Sequence, residues 1–588
     1  MPTLSRALPA TRWISTYDRS DLRPDLAAGV TVAAMLVPQA MAYALLAGLP
    51  PEVGLYAATI PVIIYALLGT SRQLAVGPVA IVSLLTASAL GSLVEEGSAD
   101  YVEAAALLAL MVGIIHIVLG VGRLGYVVNF LSHSVLVGFT AAAAIIIGFS
   151  QAKHLLGISI DRKEHLYETI DEVMGNIGNT DGTTLGIGLV SLAVLWTIKR
   201  LAPKAPGALV VVVFSIVVVK LFELESRGVR VVGDIPASLP SLGLPEFDGS
   251  LVGNLLATAF VMTMVGFMES IAVAKVYARR NRYEIEPNNE LIGLGAANVA
   301  AGVFGGYPVT GGFSRTAVNA TAGARTPLAS LITAGIVLVT VAMFTPLLES
   351  LPKAALGAII VMAVMGLIDI AEMRHIARVK PSDLIGLGVA FVATLMLGIE
   401  LGIGVAILAS MLVVFVRMSM PHSAVVGHVG GTTSYRNVDR FPETETIPGI
   451  DIVRVDAALS FVNATQVRRL LRCRAEMLTI EPKALVLDSS GINDIDATGA
   501  AMLDEVIEEV EALGVSVHLA DVKGPVRDVL HRSGIWAELG DRVHTNTHEA
   551  IRAITAGVTI RPDQRTLGID ERAAPCALTE ASADDPVD

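Results

Sequence analysis

The sequence predicts an all-α polytopic membrane domain followed by a smaller cytoplasmic α/β domain. Three observations carry this. The 588-residue chain is 53% apolar and only 16% charged, with a mean hydropathy of +0.64, whereas a soluble globular chain is about a quarter charged. The charge is unevenly placed: the first 440 residues hold 57 of the 97 charged residues, and the last 148 hold the other 40. Apolar stretches of the length a bilayer requires, about 20 residues, recur along the first 420 residues and then stop.

Fourteen stretches read as spans: 26–46, 54–69, 78–93, 101–120, 126–148, 183–200, 206–223, 253–276, 289–304, 312–323, 326–346, 352–370, 382–398 and 400–418. Four of them, 54–69, 78–93, 289–304 and 312–323, are too short to cross as ideal helices, so extended chain must complete them. Such backbone is tolerated at membrane depth only where protein or a polar cavity satisfies its N–H and C=O groups. Short spans broken by Gly and Pro in corresponding halves therefore point to a transport site. Loop charge sets the orientation. Arg12, Arg19, Arg23, Arg123, Lys199, Arg200, Lys204, Lys275, Arg279, Arg280, Arg282, Arg374, Arg378 and Lys380 fall inside, whereas Glu95, Glu96, Asp100 and the acidic 150–182 segment fall outside. The 224–250 loop, with Arg227 and Arg230, is the one exception. An even number of spans returns the chain to the cytoplasm, which puts both termini there.

The net charge of −13 sits almost wholly on the C-terminal part, and without a basic footprint a nucleic-acid partner is excluded. Two cysteines, Cys473 and Cys576, make neither a disulfide framework nor a metal cluster, so no metal or cofactor is expected. The N-terminus is no signal peptide, because Trp13, Asp18, Asp21 and Asp25 precede an apolar run that lacks a small-residue cleavage site. No nucleophile–base pair emerges, so an enzyme is not expected.

Two segments carry the chemistry. Val76-Gly77-Pro78-Val79-Ala80 enters a short span, with Pro78 suited to a first helical turn and Gly77 free to bend. In the other half, Gly305 to Arg315 is a glycine-rich entry into a second short helix. Each helix start offers unpaired N–H groups and a positive dipole end. Two such ends aimed at one cavity make an anion site.

Arg315 is an intramembrane cation, costly and usually functional. It either shapes the anion site or pairs with Glu269, while Ser314 and Thr316 add hydroxyls. Glu269 is the other intramembrane charge. Burial disfavours its ionised form and a nearby Arg favours it, which leaves a proton-coupling role and a structural ion pair both open. In the first span Pro38 frees a carbonyl and kinks or breaks the helix. Gln39 and Tyr43, four residues apart, share a face that suits a substrate-facing wall.

The run Val37-Pro38-Gln39-Ala40-Met41-Ala42-Tyr43-Ala44-Leu45-Leu46-Ala47-Gly48-Leu49-Pro50 resembles the first-span signature of the sulfate permease (SulP) family. So do Gly54-Leu55-Tyr56, Gly69-Thr70-Ser71-Arg72-Gln73, Gly77-Pro78, Phe267-Met268-Glu269-Ser270-Ile271-Ala272 and Gly311-Gly312-Phe313-Ser314-Arg315-Thr316-Ala317-Val318-Asn319. The resemblance covers about 15–560. It implies two inverted seven-span repeats divided into core and gate domains, with the third and tenth spans facing each other across a central anion site. It implies Gln39, Tyr43, Phe313, Ser314 and Arg315 as substrate-binding residues and Glu269 as the coupling residue, and the helix entry read above adds Gly77, Pro78 and Val79 to the substrate-binding set.

The last part alternates strand and helix: 451–455 and 483–488 are strands, 463–476 and 497–513 helices, 515–520 a strand and 524–533 a helix. Leu487 to Gly499 resembles a STAS domain. In soluble relatives a phosphorylatable serine follows the aspartate matching Asp496, and here Ala497 stands there. The expected divisions are a cytoplasmic segment 1–24, a transporter domain 25–420, a linker 421–449 holding His422 and His428, a STAS domain 450–560, and a disordered acidic tail 561–588.

The function expected is secondary active transport of an inorganic anion, as proton-coupled sulfate uptake by alternating access. Bicarbonate, dicarboxylate or chloride transport is the alternative, and a non-transporting sensor a remote one. A homodimer in the plasma (inner) membrane is expected, with a small anion, a proton and the lipid bilayer as its partners.

Overall fold

A computed structural model describes residues 9–126, 132–160, 165–202, 205–236 and 238–556. The expected tail 561–588 lies outside these residues, as do residues 1–8, Asp161, Glu164 and Lys204. The chain divides into two compact units, one ending at Met411 and the other beginning at Leu412.

Every one of the fourteen expected stretches carries helix. In the first half these are α1 (Leu22–Leu46), the pair α2 (Pro51–Ala57) and α3 (Ile60–Leu68), α4 (Ala80–Gly91), α5 (Ala99–Val121), α6 (His133–Ser150), α7 (Gly182–Leu201) and α8 (Gly207–Leu221). The second half has α9 (Gly249–Arg280), α10 (Pro287–Val303), α11 (Phe313–Thr321), α12 (Leu328–Met343), α13 (Lys353–Val364), α14 (Asp383–Leu397) and α15 (Ile399–Ser419). Among the described residues, seven helical segments are long and apolar enough to cross a membrane unaided, and five more are shorter apolar helices. Pro38 does not break α1, which runs on as one helix to Leu46. The second stretch is broken instead, between Ala57 and Ile60.

Several helix pairs repeat when each helix is exchanged for its counterpart in the other half. α5 lies on α9 and α10, and α12 lies on α1 and α3. α4 rests on α9 as α11 rests on α1, and α6 pairs with α14 as α13 pairs with α7. Strand β1 (Val76–Gly77) pairs antiparallel with β2 (Thr310–Gly311), Val76 opposite Gly311 and Gly77 opposite Thr310. Two halves that swap in this way, joined by an antiparallel pair, are inverted repeats. α1 to α5 and α9 to α12 form one packing group, and α6, α7, α13 and α14 form another.

Small residues let these helices approach. A Cβ on Gly54 in α2 would sit 2.0 Å from the carbonyl oxygen of Ala40 in α1. Gly138 in α6 meets the Leu387 carbonyl of α14 in the same way, at 2.2 Å.

The second unit is a seven-stranded sheet with helices. Strands β3 (Ser423–Val429), β4 (Tyr435–Asn437), β5 (Thr444–Glu445), β6 (Ile450–Val455), β7 (Ala484–Asp488), β8 (Ser516–Ala520) and β9 (Val543–His544) run in the order β4-β3-β6-β7-β8-β9, with β5 also on β3. β6 to β9 are parallel, as crossover helices demand. The helices are α16 (Ala464–Glu476), α17 (Ala497–Ala512), α18 (Gly524–Ser533) and α19 (Thr547–Thr555), with a short turn of helix at Ile535–Leu539. The 421–449 stretch is therefore not a linker. It supplies β3, β4 and β5, and β3 joins the sheet antiparallel to β6. His428 lies on β3, and His422 Nδ1 bonds Asp456 Oδ2 at 2.9 Å. Asp496 caps α17 by accepting from the Gly499 N–H at 2.7 Å.

Overpacking a well-filled contact costs about 1–3 kcal/mol. Gly54→Ala should therefore lower the thermal unfolding midpoint of the detergent-solubilised chain. Gly148→Ala, whose Cβ would meet nothing within 4 Å, should leave the midpoint unchanged or raise it slightly.

Candidate anion site

The two strands that cross at the centre are held by side chains from both halves. Gly312 N–H donates to the Ala75 carbonyl at 3.1 Å, and Ala75 N–H donates to Thr316 Oγ1 at 3.0 Å. Ser270 of α9 accepts from the Gly311 N–H at 2.8 Å and meets Thr310 Oγ1 at 2.7 Å. The amide of Asn298 in α10 acts as one more strand: its Oδ1 accepts from Val309 N–H and its Nδ2 donates to the Val309 carbonyl, both at 2.9 Å. Tyr307 and Ser83 of α4 join their hydroxyls at 2.8 Å. Each extended lead at membrane depth is thus paired by protein, as low dielectric requires.

These leads deliver the starts of α4 and α11 to one place. A cavity of about 50 Å³ lies between them, lined by Gln39, Tyr43, Val79, Ala80, Ile81, Glu269, Gly312, Phe313, Ser314 and Arg315, with Ala363 and Leu367 of the other packing group. A space needs on the order of 10–15 Å³ to hold one water, so this one takes a few waters or one small ion. No side chain caps either helix: Val79 and Gly312 occupy the N-cap positions and accept nothing by side chain. Each start therefore presents free N–H groups and about half a positive charge.

Arg315 is 2% exposed. Its Nη1 donates to the Pro78 carbonyl, and its Nε and Nη2 are buried with no hydrogen-bond partner. Gly77, at φ +149°, and Gly312 leave the room for it. A Cβ on Gly312 would come within 3.1 Å of Nη2, and one on Gly77 within 3.5 Å. The guanidinium is thus anchored at one nitrogen and has donors to spare beside the cavity. Glu269 lines the same cavity, with Oε2 buried and unbonded. Among the described residues no ion pair within 4.0 Å joins Glu269 to Arg315.

Of the residues expected at the site, Gln39, Tyr43, Val79, Phe313, Ser314, Arg315 and Glu269 share the cavity. Gly77 and Pro78 do not line it. They back the guanidinium instead. A larger cavity of about 220 Å³, at the far end of α4, is lined by Ser88, Glu96, Gln151, Lys153 and His154 among others. It touches neither helix start, so the smaller space is the candidate anion site.

Sequence reading missed two buried carboxylates that hold this arrangement. Glu290 in α10 is fully buried. Its Oε2 accepts from Tyr65 Oη at 2.6 Å, and its Oε1 accepts from the N–H of Thr70 at 2.6 Å, the N–H of Ser71 at 2.9 Å and the Thr70 hydroxyl. It fixes the turn that leads into β1. Asp25 in α1 does the same for the other half, accepting from Arg325 N–H at 2.8 Å, Thr326 N–H at 3.1 Å and Thr326 Oγ1 at 2.6 Å. Each carboxylate sits on one repeat and holds a loop of the other. Both lie near span ends, where a charge reads as interfacial. The only signal available was the polar Thr70-Ser71 and Arg325-Thr326 turns.

A profile of the sulfate permease family matches residues 22–394, and one of the STAS domain matches residues 441–550. Sulfate transporter 4.1, chloroplastic, of Arabidopsis thaliana is 37% identical over 564 residues, covering 92% of this chain and 82% of its own. The chain belongs to the sulfate permease family. It is a multi-pass membrane transporter of that family, ending in a STAS domain. A probable sulfate transporter of Mycobacterium tuberculosis is 35% identical over 94% of this chain and 99% of its own. Among solved structures, the murine Solute Carrier 26 family member A9 anion transporter in the inward-facing state matches with a TM-score of 0.87 and 26% identity, over 95% of each chain. The transmembrane domain of a cyanobacterium bicarbonate transporter, BicA, matches with a TM-score of 0.59 and 26% identity, over 67% of this chain and 98% of that one.

Each donor stranded in a permease core costs on the order of 1–3 kcal/mol, and Glu290→Ala strands four. That variant should lose the monodisperse folded fraction on size exclusion. Glu290→Gln should retain it, because its amide oxygen still accepts from Thr70 and Ser71 and its N–H can donate to the Tyr65 oxygen. A Glu290→Ala protein as stable as wild type would contradict the role.

Proposed function

We propose that this permease is a secondary active anion transporter that takes up sulfate with protons by alternating access. The observation that carries the reading is the uncapped convergence of two helix starts on a cavity where Arg315 has two unbonded donors. The two dipole ends and the guanidinium together supply about two positive charges. With Glu269 ionised the cluster holds about one net positive charge, and with Glu269 protonated about two, which matches a dianion. Loading a proton and loading sulfate then favour each other. Because Glu269 makes no ion pair with Arg315, its charge can change without breaking the anchor that holds the guanidinium.

In this reading Arg315, Ser314 and the backbone N–H groups at 80–81 and 313–314 hold the anion. Gln39 and Tyr43 wall it, Phe313 borders it, Val79 shapes the floor, and Gly77 and Pro78 position Arg315. Ala363 and Leu367 come from the group that contains α6, α13 and α14, so movement between the groups opens the cavity to either side. We place both termini in the cytoplasm of a plasma-membrane homodimer, from the loop charges and the family. Relatives named sulfate transporters favour sulfate, and the bicarbonate transporter among the solved neighbours makes bicarbonate the rival substrate.

Charge-assisted hydrogen bonds contribute about 1.5–3 kcal/mol each. Arg315→Ala should therefore weaken sulfate binding by about 10- to 100-fold in a titration of the purified protein, and Arg315→Lys should recover part of it. Unchanged affinity in the Ala variant would remove Arg315 from the site. Labelled sulfate uptake into proteoliposomes should rise with an inward proton gradient, and excess bicarbonate should compete weakly. Glu269→Gln should bind sulfate yet lose the response to the gradient. A full response in that variant would end the proton-carrier role.

A further inference from the structure

The second unit carries a basic pocket that the transport reading does not use. It is an open cavity of about 580 Å³ at the β3–β4 hairpin, lined by His422, Ser434, Arg436, Arg440, Arg454 and Asp456 among others. Arg454 and Asp456 compensate each other: Nε and Nη2 reach the carboxylate at 2.8 and 3.2 Å, and His422 reaches it at 2.9 Å. Burial pushes the Asp456 carboxyl up, but the bonds and charges of Arg454 and His422 outweigh it and hold the group below its ordinary range. The acid of the pocket is therefore spoken for.

Arg436 and Arg440 are not. Among the described residues neither has an ion-pair partner within 4.0 Å. The Arg436 guanidinium carbon lies over the Phe441 ring, 4.8 Å from its centroid, a cation–π contact that favours this position of the group. Two planar guanidinium groups with a serine hydroxyl between the strands suit a tetrahedral phosphate, which accepts such donors in pairs. The pocket also runs against the composition around it, since acidic residues outnumber basic ones beyond residue 440. General basicity does not explain it.

Chain connectivity says what supplies the phosphate. α15 ends at Ser419 with Arg417 in its last turn, and His422 of the pocket follows three residues later. Three residues of extended chain reach about 10–11 Å. The pocket is thereby leashed to the end of a membrane helix, where arginines gather anionic headgroups. We propose that Arg436 and Arg440 bind the phosphate of an anionic lipid headgroup at the membrane surface. The inference rests on α15 spanning the membrane and is independent of which anion is carried.

The test is hydrogen–deuterium exchange of segment 423–456 in the full-length protein. It compares nanodiscs of phosphatidylcholine, the same with phosphatidylglycerol added, and phosphatidylcholine with free inorganic phosphate. Phosphatidylglycerol should slow exchange several-fold. The Arg436→Ala/Arg440→Ala protein should lose that protection, while Arg527→Ala/Arg532→Ala on α18 should keep it. Arg436→Lys/Arg440→Lys, which retains charge without the fork, should keep part of it and guards against a folding defect in the double Ala protein. Protection by free phosphate in phosphatidylcholine alone would overturn the lipid as source. Equal exchange in all three conditions, or full protection in the double Ala protein, would overturn the site. Labelled sulfate uptake by the same variants reads the transport function separately, and is expected to persist.

Discussion

A helix that begins in the middle of an apolar bundle leaves its first N–H groups with no partner and needs an extended lead that something must pair. This permease meets both demands by crossing two such leads. β1 and β2 satisfy each other through two residue pairs, and Ser270, Asn298 and Thr316 complete the ladder from neighbouring helices. What the crossing leaves unpaired is the start of α4 and the start of α11, side by side. The candidate anion site is the remainder of that arrangement.

The two halves are tied reciprocally. Arg315 belongs to the second repeat and is anchored on Pro78 of the first. Glu290 of the second repeat fixes the 70–71 turn of the first, and Asp25 of the first fixes the 325–326 turn of the second. Loss of any one of these ties would let a helix start drift, and a fixed dipole acts on an ion only at close range in a dry site. Glu269 is the exception in this network. It borders the cavity and carries an unbonded oxygen, so none of the ties named above runs through it.

The spans, the two Gly/Pro entries, Arg315 and Glu269 were legible because each violates an expectation of apolar sequence: a gap in hydropathy, a helix breaker or a buried charge. Gln39 and Tyr43 were legible by their spacing. Glu290 and Asp25 were not, because a carboxylate near a span end is ordinary until its four or three donors are brought to it from more than 200 residues away. Gly77 and Pro78 were read as substrate-binding residues, yet the cavity lies in front of Arg315 and they lie behind it. The stretch 421–449 read as linker because Gly430, Gly431 and Pro442 punctuate short polar strands, and β3 shows itself as a strand through its pairing with β4, β5 and β6.

Everything turns on where the anion sits. A structure of the protein crystallised with selenate, a heavier analogue of sulfate, locates it by anomalous scattering without any substitution. The expected result is one peak between the starts of α4 and α11, within hydrogen-bond reach of Arg315 Nε or Nη2. A peak only in the larger cavity beside Ser88 and Lys153, with none at Arg315, would contradict the central site.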